Sequence, residues 1–433
     1  MSRFRGCLKF LHSAAAARCG GRAAFACLVL AALASFWMPA SAQETRPNTF
    51  IPWFNMTLGE GVYLPSQGNM FSGGNIDAQI GLLTRFSGSK TLFGLYDFDY
   101  NGPSFPQRDA ARFQERGINH AFSLEYRTAI TERWSLRPGL TLTRGHSRQG
   151  ANESWDNGLY NMNSFGGHIA ADCRFGWFEN AGTFTAQLLY RQLRFPNYTD
   201  LMTQFVSAAS SAAYTGGLED QNLYQLSARA NWRGMFGGIV YSRMSYLNQE
   251  VIGADGQYSA DMQRDYSLAF SLGRRQRLRT AEFAPALTYT MYRSNQSFMR
   301  YKYFGAYSPD IFNPASDITL VQNAYSYNEW NLNLPADKQM GDDLDWNLFG
   351  GASLLLRTYS DRPPRDELNN FLSGTQKDLL ARFSLGMRRP VNEIADVRVV
   401  YAFVVASSNN HYEMYLPCNY TGHSISVAYN LTF

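Results

Sequence analysis

The chain has 433 residues, of which 15% are aromatic and 17% charged, and its formal net charge is +4. Five of its 39 basic residues lie between Arg3 and Arg22, which leaves 34 Lys and Arg against 35 Asp and Glu in the rest of the chain. This balance argues against a nucleic-acid-binding protein, which needs a clustered basic surface. After position 42 no stretch approaches eighteen consecutive apolar residues, so a membrane-spanning helix is excluded from that part of the chain.

The first 42 residues have the organisation of a secretory signal peptide. A basic segment ending at Arg22 precedes an apolar run at 23–37, and Ala40-Ser41-Ala42 forms an A-x-A cleavage site. We predict a cleaved signal peptide at residues 1–42 and a mature chain at 43–433. An uncleaved N-terminal anchor is the alternative interpretation. No linker, charge run or fixed repeat divides the mature chain, so we expect one domain.

Alternation of apolar and polar residues with a period of two recurs through the mature chain. This period is typical of β-strands that have one apolar and one polar side. It predicts an all-β fold with fifteen recognisable strands, near 52–64, 75–86, 91–101, 118–131, 133–146, 163–177, 182–195, 222–233, 236–248, 264–274, 282–293, 343–358, 378–389, 396–407 and 422–433.

The connections between these strands alternate in length, which separates a membrane barrel from a soluble sandwich. Aromatic residues such as Trp134, Trp177 and Trp232 also fall near strand ends, as in the aromatic girdles of membrane barrels. We predict a transmembrane antiparallel up-and-down β-barrel with short periplasmic turns and long extracellular loops. Short turns are expected near 87–90, 131–133, 178–182, 233–236, 274–281 and 391–395. Long loops are expected near 102–117, 147–161, 197–221, 250–263, 359–377 and 408–421.

Fifteen strands conflict with a parity rule. If the mature N-terminus and Phe433 both lie in the periplasm, the strand number must be even. The segment 294–342 is long enough to hold one more strand, either around 298–307 or around 318–330. We therefore predict about sixteen strands, with fourteen as an alternative if the first strand lies outside the wall.

The last ten residues, Ser424 to Phe433, alternate strictly and end in an aromatic residue with no charged tail. This segment resembles the C-terminal signal of Gram-negative outer-membrane β-barrels, which the barrel-assembly machinery reads. The resemblance implies that the protein lies in the outer membrane and that Tyr429, Leu431 and Phe433 form the assembly signal. We expect Ile425, Val427, Tyr429, Leu431 and Phe433 to face lipid.

The opposite side of the strands should face an interior wide enough, at about sixteen strands, to hold water. Charged side chains on that side would set ion selectivity, or would only pair with one another and brace the wall. The mixed signs predict a weak charge preference. The predicted lumen-lining residues are Asp77, Arg85, Asp97, Asp99, Glu125, Arg127, Arg137, Asp172, Arg174, Arg229, Asp265, Asp345, Arg357, Arg382 and Arg398.

Two loops, 104–117 and 199–214, have the composition of short helices, which would either fold into the pore or lie on its rim. After the signal peptide only Cys173 and Cys418 remain. A disulfide between them would suit an oxidising compartment. We expect two thiols instead, because the two positions fall on different parts of the wall.

The sequence does not indicate an enzyme. A hydrolase would need a nucleophile with a base within hydrogen-bond reach. His120 should face lipid, His168 should lie too far from Asp172 for direct contact, and the adjacency of His146 and Ser147 at a strand end has no catalytic signature. No ligand spacing typical of a metal site is present, and we predict no cofactor.

Two further segments show short resemblances to export barrels. Residues 407–415 are similar to the last hairpin of surface lipoprotein assembly modifiers and exopolysaccharide-secretion porins, and residues 303–309 are similar to a stretch of cellulose-secretion barrels. Strand number and charged interior favour a passive channel for small polar solutes. An export or surface-interaction barrel without open-pore conductance is the alternative, and the sequence leaves monomer and trimer both open.

Overall fold

A computed structural model of the protein describes residues 49–66, 71–102, 116–148, 154–177, 180–198, 216–252, 258–301, 318–341, 346–412 and 418–433. The predicted signal peptide lies outside these residues.

Twenty strands and one short 3-10 turn make up the described chain. In order they are β1 Thr49–Pro65, β2 Phe71–Ser87, β3 Lys90–Gly102, β4 Arg116–Ala129, β5 Trp134–Arg148, the 3-10 turn Trp155–Asn157, β6 Met162–Trp177, β7 Asn180–Arg194, β8 Gln221–Trp232, β9 Met235–Ile252, β10 Tyr258–Arg274, β11 Gln276–Leu278, β12 Ala281–Phe283, β13 Ala286–Ser294, β14 Phe298–Tyr301, β15 Ile318–Val321, β16 Tyr327–Met340, β17 Trp346–Tyr359, β18 Lys377–Asn392, β19 Ala395–Ser408 and β20 Tyr420–Thr432.

Eighteen of these strands form one antiparallel sheet that closes on itself, because β1 pairs with both β2 and β20. The short strands β11 and β12 extend β10 and β13, so the sheet has sixteen wall positions. The predicted all-β barrel with sixteen strands is confirmed, and the alternative with fourteen is wrong because β1 is part of the wall. A closed sheet leaves no edge strand unpaired, which a bilayer requires.

The outer side of the wall is apolar, whereas the inner side is polar. In β20, Ile425 and Val427 are about half exposed and point outward, and Ser424 and Ser426 between them point inward. Large exposed apolar side chains recur in the same way around the barrel, such as Leu226 and Phe270. An exposed apolar belt of this extent is stable only against lipid.

The connections sort onto the two ends of the barrel as parity requires. The end that holds Thr49 and Phe433, here called the short-turn end, also holds the hairpins β2–β3, β4–β5, β6–β7, β8–β9 and β18–β19. The opposite, long-loop end holds most of the predicted long loops. At the β8–β9 turn, Arg233 and Gly234 both have positive φ, as a tight two-residue hairpin turn demands. The predicted loop at 250–263 is wrong in extent, because β9 continues to Ile252 and β10 begins at Tyr258.

The sixteenth strand is β16, which pairs with β13 and β17. The second predicted location, around 318–330, overlaps β16 only at 327–330, and its first residues form β15 instead. The first predicted location, around 298–307, contains β14, which pairs with β15 in a separate two-stranded sheet. The prediction of a hidden strand is thus confirmed, the first location is wrong, and the second is corrected in extent.

The predicted helices at 104–117 and 199–214 fall mainly on 103–115 and 199–215, which lie outside the described residues. Of the two export-barrel resemblances, positions 303–309 and 413–415 also lie outside them. No helix in the described part of the chain is long and apolar enough to cross a membrane. Cys173 lies on β6 and Cys418 precedes β20, and no disulfide joins them.

Candidate functional site

The inner wall is the candidate functional site, because strand pairing places the predicted charged set on it. Cross-strand partners lie on the same side of a sheet. The register therefore places Asp172 on the same side as its partners Ser135 of β5 and Thr185 of β7. Asp345 lies outside the described residues. The inward members of the predicted set are Asp77, Arg85, Asp97, Asp99, Glu125, Arg127, Arg137, Asp172, Arg174, Arg229, Asp265, Arg357, Arg382 and Arg398.

One ion-pair network joins three adjacent strands, β4, β5 and β6. Arg137 Nη1 donates to Glu125 Oε2 at 3.0 Å, and Arg137 Nε donates to Asp172 Oδ2 at 2.6 Å. The Thr185 hydroxyl donates to Asp172 Oδ1 at 2.8 Å, and the Ser135 hydroxyl donates to Oδ2 at 3.4 Å. One guanidinium fork therefore serves two carboxylates, which suits the planar geometry of Arg and would not suit Lys.

His168 joins this network because the residue beside it is glycine. Glu125, Gly139 and His168 lie directly opposite one another on β4, β5 and β6. A Cβ on Gly139 would lie 2.3 Å from the His168 ring, so only glycine lets the imidazole cross β5. His168 Nε2 then lies 3.2 Å from Glu125 Oε2. From the sequence we considered only the distance between His168 and Asp172, so the contact between His168 and Glu125 was missed.

A second cluster surrounds Asp265, on the inner side toward the long-loop end. Asp265 is only 1% exposed and accepts hydrogen bonds from Tyr292 Oη at 2.5 Å and from Gln263 Nε2 at 3.1 Å. In the connection before β8, burial, reinforced by the charge of Asp265, raises the pKa of Glu219. The cluster shows a carboxylate held by neutral donors rather than by a cation.

Aromatic rings and arginines continue this cluster across β16 and β17. Arg357 bonds to Glu329 Oε2 through Nη2 at 2.6 Å, and its guanidinium lies 4.3 Å from the Tyr327 ring. Arg362 lies over the Tyr359 ring at 4.1 Å. Cation–π contacts of this kind fix the rings and the charges together. The inner wall near the long loops is therefore a polar and aromatic surface.

Two pairs of like charges face each other on the inner wall. Asp77 of β2 is directly opposite Asp99 of β3, with Asp97 nearby, and Arg388 of β18 is directly opposite Arg398 of β19. Like charges in opposed positions destabilise a sheet. Arg398 is partly compensated by its own-strand neighbour Asp396, at 2.9 Å. Negative and positive groups thus occupy different parts of the wall.

The histidines outside the network have structural contacts. His120 Nδ1 lies 2.8 Å from Tyr96 Oη, and His423 Nδ1 lies 2.8 Å from Tyr401 Oη. Both histidines point outward, as predicted for His120. His146 Nδ1 lies 3.3 Å from a backbone carbonyl. Within the described residues no histidine contacts a serine hydroxyl, and the expectation that the protein is not an enzyme stays a prediction.

The predicted assembly signal closes the barrel. Tyr429 and Leu431 of β20 pair with Leu58 and Met56 of β1. Phe433 exchanges two backbone hydrogen bonds with Phe54, at 2.9 and 3.2 Å, and the two rings lie 5.5 Å apart. The C-terminal residue is therefore held by the first strand. Its role as a signal stays a prediction.

No protein-family model and no curated protein sequence matches the chain. Solved structures similar to it include OmpT of Vibrio cholerae, folded in vitro, with 9% identity and a TM-score of 0.45 over 91% of this chain and 100% of that one. A bacterial polysaccharide outer membrane secretin has 9% identity and a TM-score of 0.42 over 88% and 97%. OpdL of Pseudomonas aeruginosa has 11% identity and a TM-score of 0.40 over 89% and 98%.

These likenesses are remote, and the architecture is established by the chain's own strand pairing and by its apolar outer wall. Closure of β1 on β20, connections sorted by length and an exposed apolar belt occur together. The chain is a closed sixteen-stranded antiparallel β-barrel with an apolar outer wall.

Proposed function

We propose that the barrel is a passive channel for small polar solutes across the outer membrane. The observation that carries this proposal is the inner wall of a closed sixteen-stranded barrel, which is lined by charged and hydrogen-bonding side chains instead of interlocking apolar ones. Barrels of about eight strands fill their interior with side chains, whereas those of sixteen leave an aqueous channel. A polar wall is stable only in contact with water or polar solutes.

Charge placement supports weak selectivity in such a channel. The acidic group at Asp77 and Asp99 and the basic group at Arg388 and Arg398 lie on separate strand pairs, so a solute meets both signs. In the Glu125 network, Arg137 offsets one of the two carboxylate charges. Neither sign dominates, which favours small polar solutes of either charge over a narrow class of ions.

The alternative, an export or surface-interaction barrel, differs in one measurable property. Such a barrel would act through its loops or on a polymer and would not conduct ions at rest. No contact among the described residues favours it over the channel.

The experiment is conductance of the purified full-length mature barrel in planar lipid bilayers. We expect discrete ohmic current steps in KCl. The reversal potential should be near zero in a symmetric solution and should stay small in a KCl gradient. The variant Arg382→Glu changes an exposed inner-wall charge and should shift the reversal potential in the gradient toward cations. The matched variant Arg389→Glu changes an outward charge at the short-turn end and should leave it unchanged.

Absence of conductance from folded protein would overturn the channel and favour the export alternative. Equal shifts from the inward and outward variants would show that the measured current does not pass through the lumen. Folding is checked independently by the difference in migration between unheated and heated barrel on denaturing gels.

A further inference from the structure

The outer wall carries a basic row where membrane-facing residues change from apolar to polar. Along β5 the outward positions are Leu140, Leu142 and then Arg144, and along β7 they include Leu188 and then Arg194. The outward positions of strands β4 to β8 hold several arginines and no Asp or Glu. On these five strands the outward charges are therefore all basic.

The height of this row matches a membrane interface. Trp134 begins β5 at the short-turn end and is exposed on the outward side. Ten residues separate it from Arg144, which at about 3.4 Å per residue and a tilt of about 45° correspond to roughly 24 Å across the membrane. The apolar band of such barrels is about 25 Å tall. Trp134 and Arg144 therefore mark the two opposite interfaces on one strand.

Arg144 and Arg194 point into one groove on the outer wall. Asn163 of β6 lies between them in the register, so their backbones are two strand spacings, about 10 Å, apart. The groove has a volume of about 450 Å³. Phe122, Leu142 and Phe165 line it one row toward the membrane centre. The groove therefore has an apolar part against lipid and a basic part above it.

The two arginines together carry more positive charge than the carboxylates beside them offset. Arg144 is exposed, and no carboxylate in the described part of the chain lies within ion-pair distance of it. Arg194 donates through Nη1 to two backbone carbonyls, of Leu193 and Gln221, and its Nε lies 3.6 Å from Asp220. One carboxylate beside two guanidinium groups leaves a net positive site at the edge of a low-dielectric region, where an anion is held strongly.

We propose that this groove binds the phosphate of an anionic membrane lipid, with Arg144 and Arg194 on the phosphate and an acyl chain over Phe122, Leu142 and Phe165. Guanidinium forks match phosphate oxygens. A membrane lipid, and not free phosphate, fits the groove because its lower part is apolar and opens onto the bilayer. The proposal depends on the barrel fold and not on channel function.

Native mass spectrometry of the full mature barrel released from detergent tests the proposal. The probes are dioleoylphosphatidylglycerol, dioleoylphosphatidylcholine with the same chains, and inorganic phosphate. We expect phosphatidylglycerol to bind in preference to phosphatidylcholine. In the double variant Arg144→Gln, Arg194→Gln its apparent dissociation constant should rise on the order of tenfold, because two charge-assisted contacts are lost.

The matched control is Arg389→Gln, which removes an outward arginine at the short-turn end and should bind phosphatidylglycerol as the native chain does. If the double variant does not fold, Arg144→Gln alone should weaken binding by about threefold, since one of the two contacts is lost. Three results would overturn the proposal: unchanged affinity in the variants, equal binding of both lipids, or displacement of phosphatidylglycerol by millimolar inorganic phosphate.

Discussion

Replacing Arg137 by Met should destabilise the barrel more than removal of any exposed inner-wall arginine. The substitution keeps much of the aliphatic side chain and deletes the guanidinium that serves Glu125 and Asp172. Both carboxylates then remain on the inner wall without their cation. His168 still contacts Glu125, at 3.2 Å, so Asp172 loses more of its compensation.

The magnitude follows from the partial burial of the three groups. Breaking a fully buried ion pair costs about 3–5 kcal/mol, because one charge stays uncompensated, whereas exposed pairs contribute about 0–1 kcal/mol. Arg137, Glu125 and Asp172 have side chains that are 27%, 28% and 21% exposed. We therefore expect a loss of about 2 kcal/mol in the free energy of unfolding, between the two limits.

The assay is reversible urea unfolding of the barrel in lipid vesicles, followed by tryptophan fluorescence. Arg229→Met is the matched control, because Arg229 is an exposed inner-wall arginine outside the network and its loss should cost under about 0.5 kcal/mol. The triple variant Glu125→Gln, Arg137→Met, Asp172→Asn should recover at least half of the loss, since it removes the uncompensated charges. A cost equal to that of Arg229→Met, or no recovery in the triple variant, would refute the reasoning.

Three shorter predictions address other parts of the structure. Asp265→Ala leaves Tyr292 and other buried donors without an acceptor, so amides of β10 and β13 should exchange faster with deuterium, by a factor that corresponds to about 1–3 kcal/mol; unchanged exchange would contradict this. Because the pKa of Glu219 is raised, the connection before β8 loses stability as pH rises from the unfolded to the folded pKa. Amide hydrogen exchange there should therefore increase with pH in the native chain by more than the intrinsic pH effect, and this excess should be absent in Glu219→Gln. Phe433→Ala removes the contact with Phe54 and should lower the folded, heat-modifiable fraction in cells at least severalfold, while Phe433→Tyr should not; equal yields would refute an assembly role.

Strand number and the orientation of side chains could be predicted from the sequence because both depend on local periodicity. A period of two identifies which side of a strand is apolar, and Ile425 and Val427 lie outward as their alternation indicates. Parity then requires an even number of strands. Neither step needs knowledge of which residues pair.

The position of the sixteenth strand could not be predicted because β16 contains Pro335, which indicates a turn when considered alone. Proline lacks the donor that a central strand needs. In the structure Pro335 lies opposite Ala284, on the side of β16 that faces away from β17. Ala284 lies in the break between β12 and β13, where the ladder of backbone hydrogen bonds is already interrupted. The Ala284 amide donates to the Pro335 carbonyl at 3.2 Å, so the acceptor of this residue keeps a partner at the break.

The contacts of the inner wall could not be predicted because they depend on register. Alternation places Glu125, Gly139 and His168 on the inner side but does not show that they lie in one row. The glycine at the centre of the row was the available signal, since an inward glycine between two polar inward residues permits a contact across its strand. The Asp265 cluster had no comparable signal, because the donor Tyr292 comes from another strand, β13.

The opposed acids on β2 and β3 provide the sharpest distinction between a wall built for stability and a wall built for transport. Asp77 and Asp99 face each other across one strand pair, and the arrangement costs about 0.2–1 kcal/mol relative to a neutral pair. Asp77→Asn with Asp99→Asn should therefore stabilise the barrel by about that amount. If the acids face a conducting lumen, the same change should also lower the permeability of potassium relative to chloride, by about twofold.

The control for this pair is Glu393→Gln, an exposed acid in the short turn between β18 and β19, which should change neither stability nor the permeability ratio. Stabilisation without a change in selectivity would show that these two acids do not act on the permeating ions. A change in selectivity together with stabilisation would show that these positions favour permeation at a cost in folding free energy. Unneutralised carboxylates affect the permeating ions only where they contact a hydrated lumen, and two amides would not have that effect.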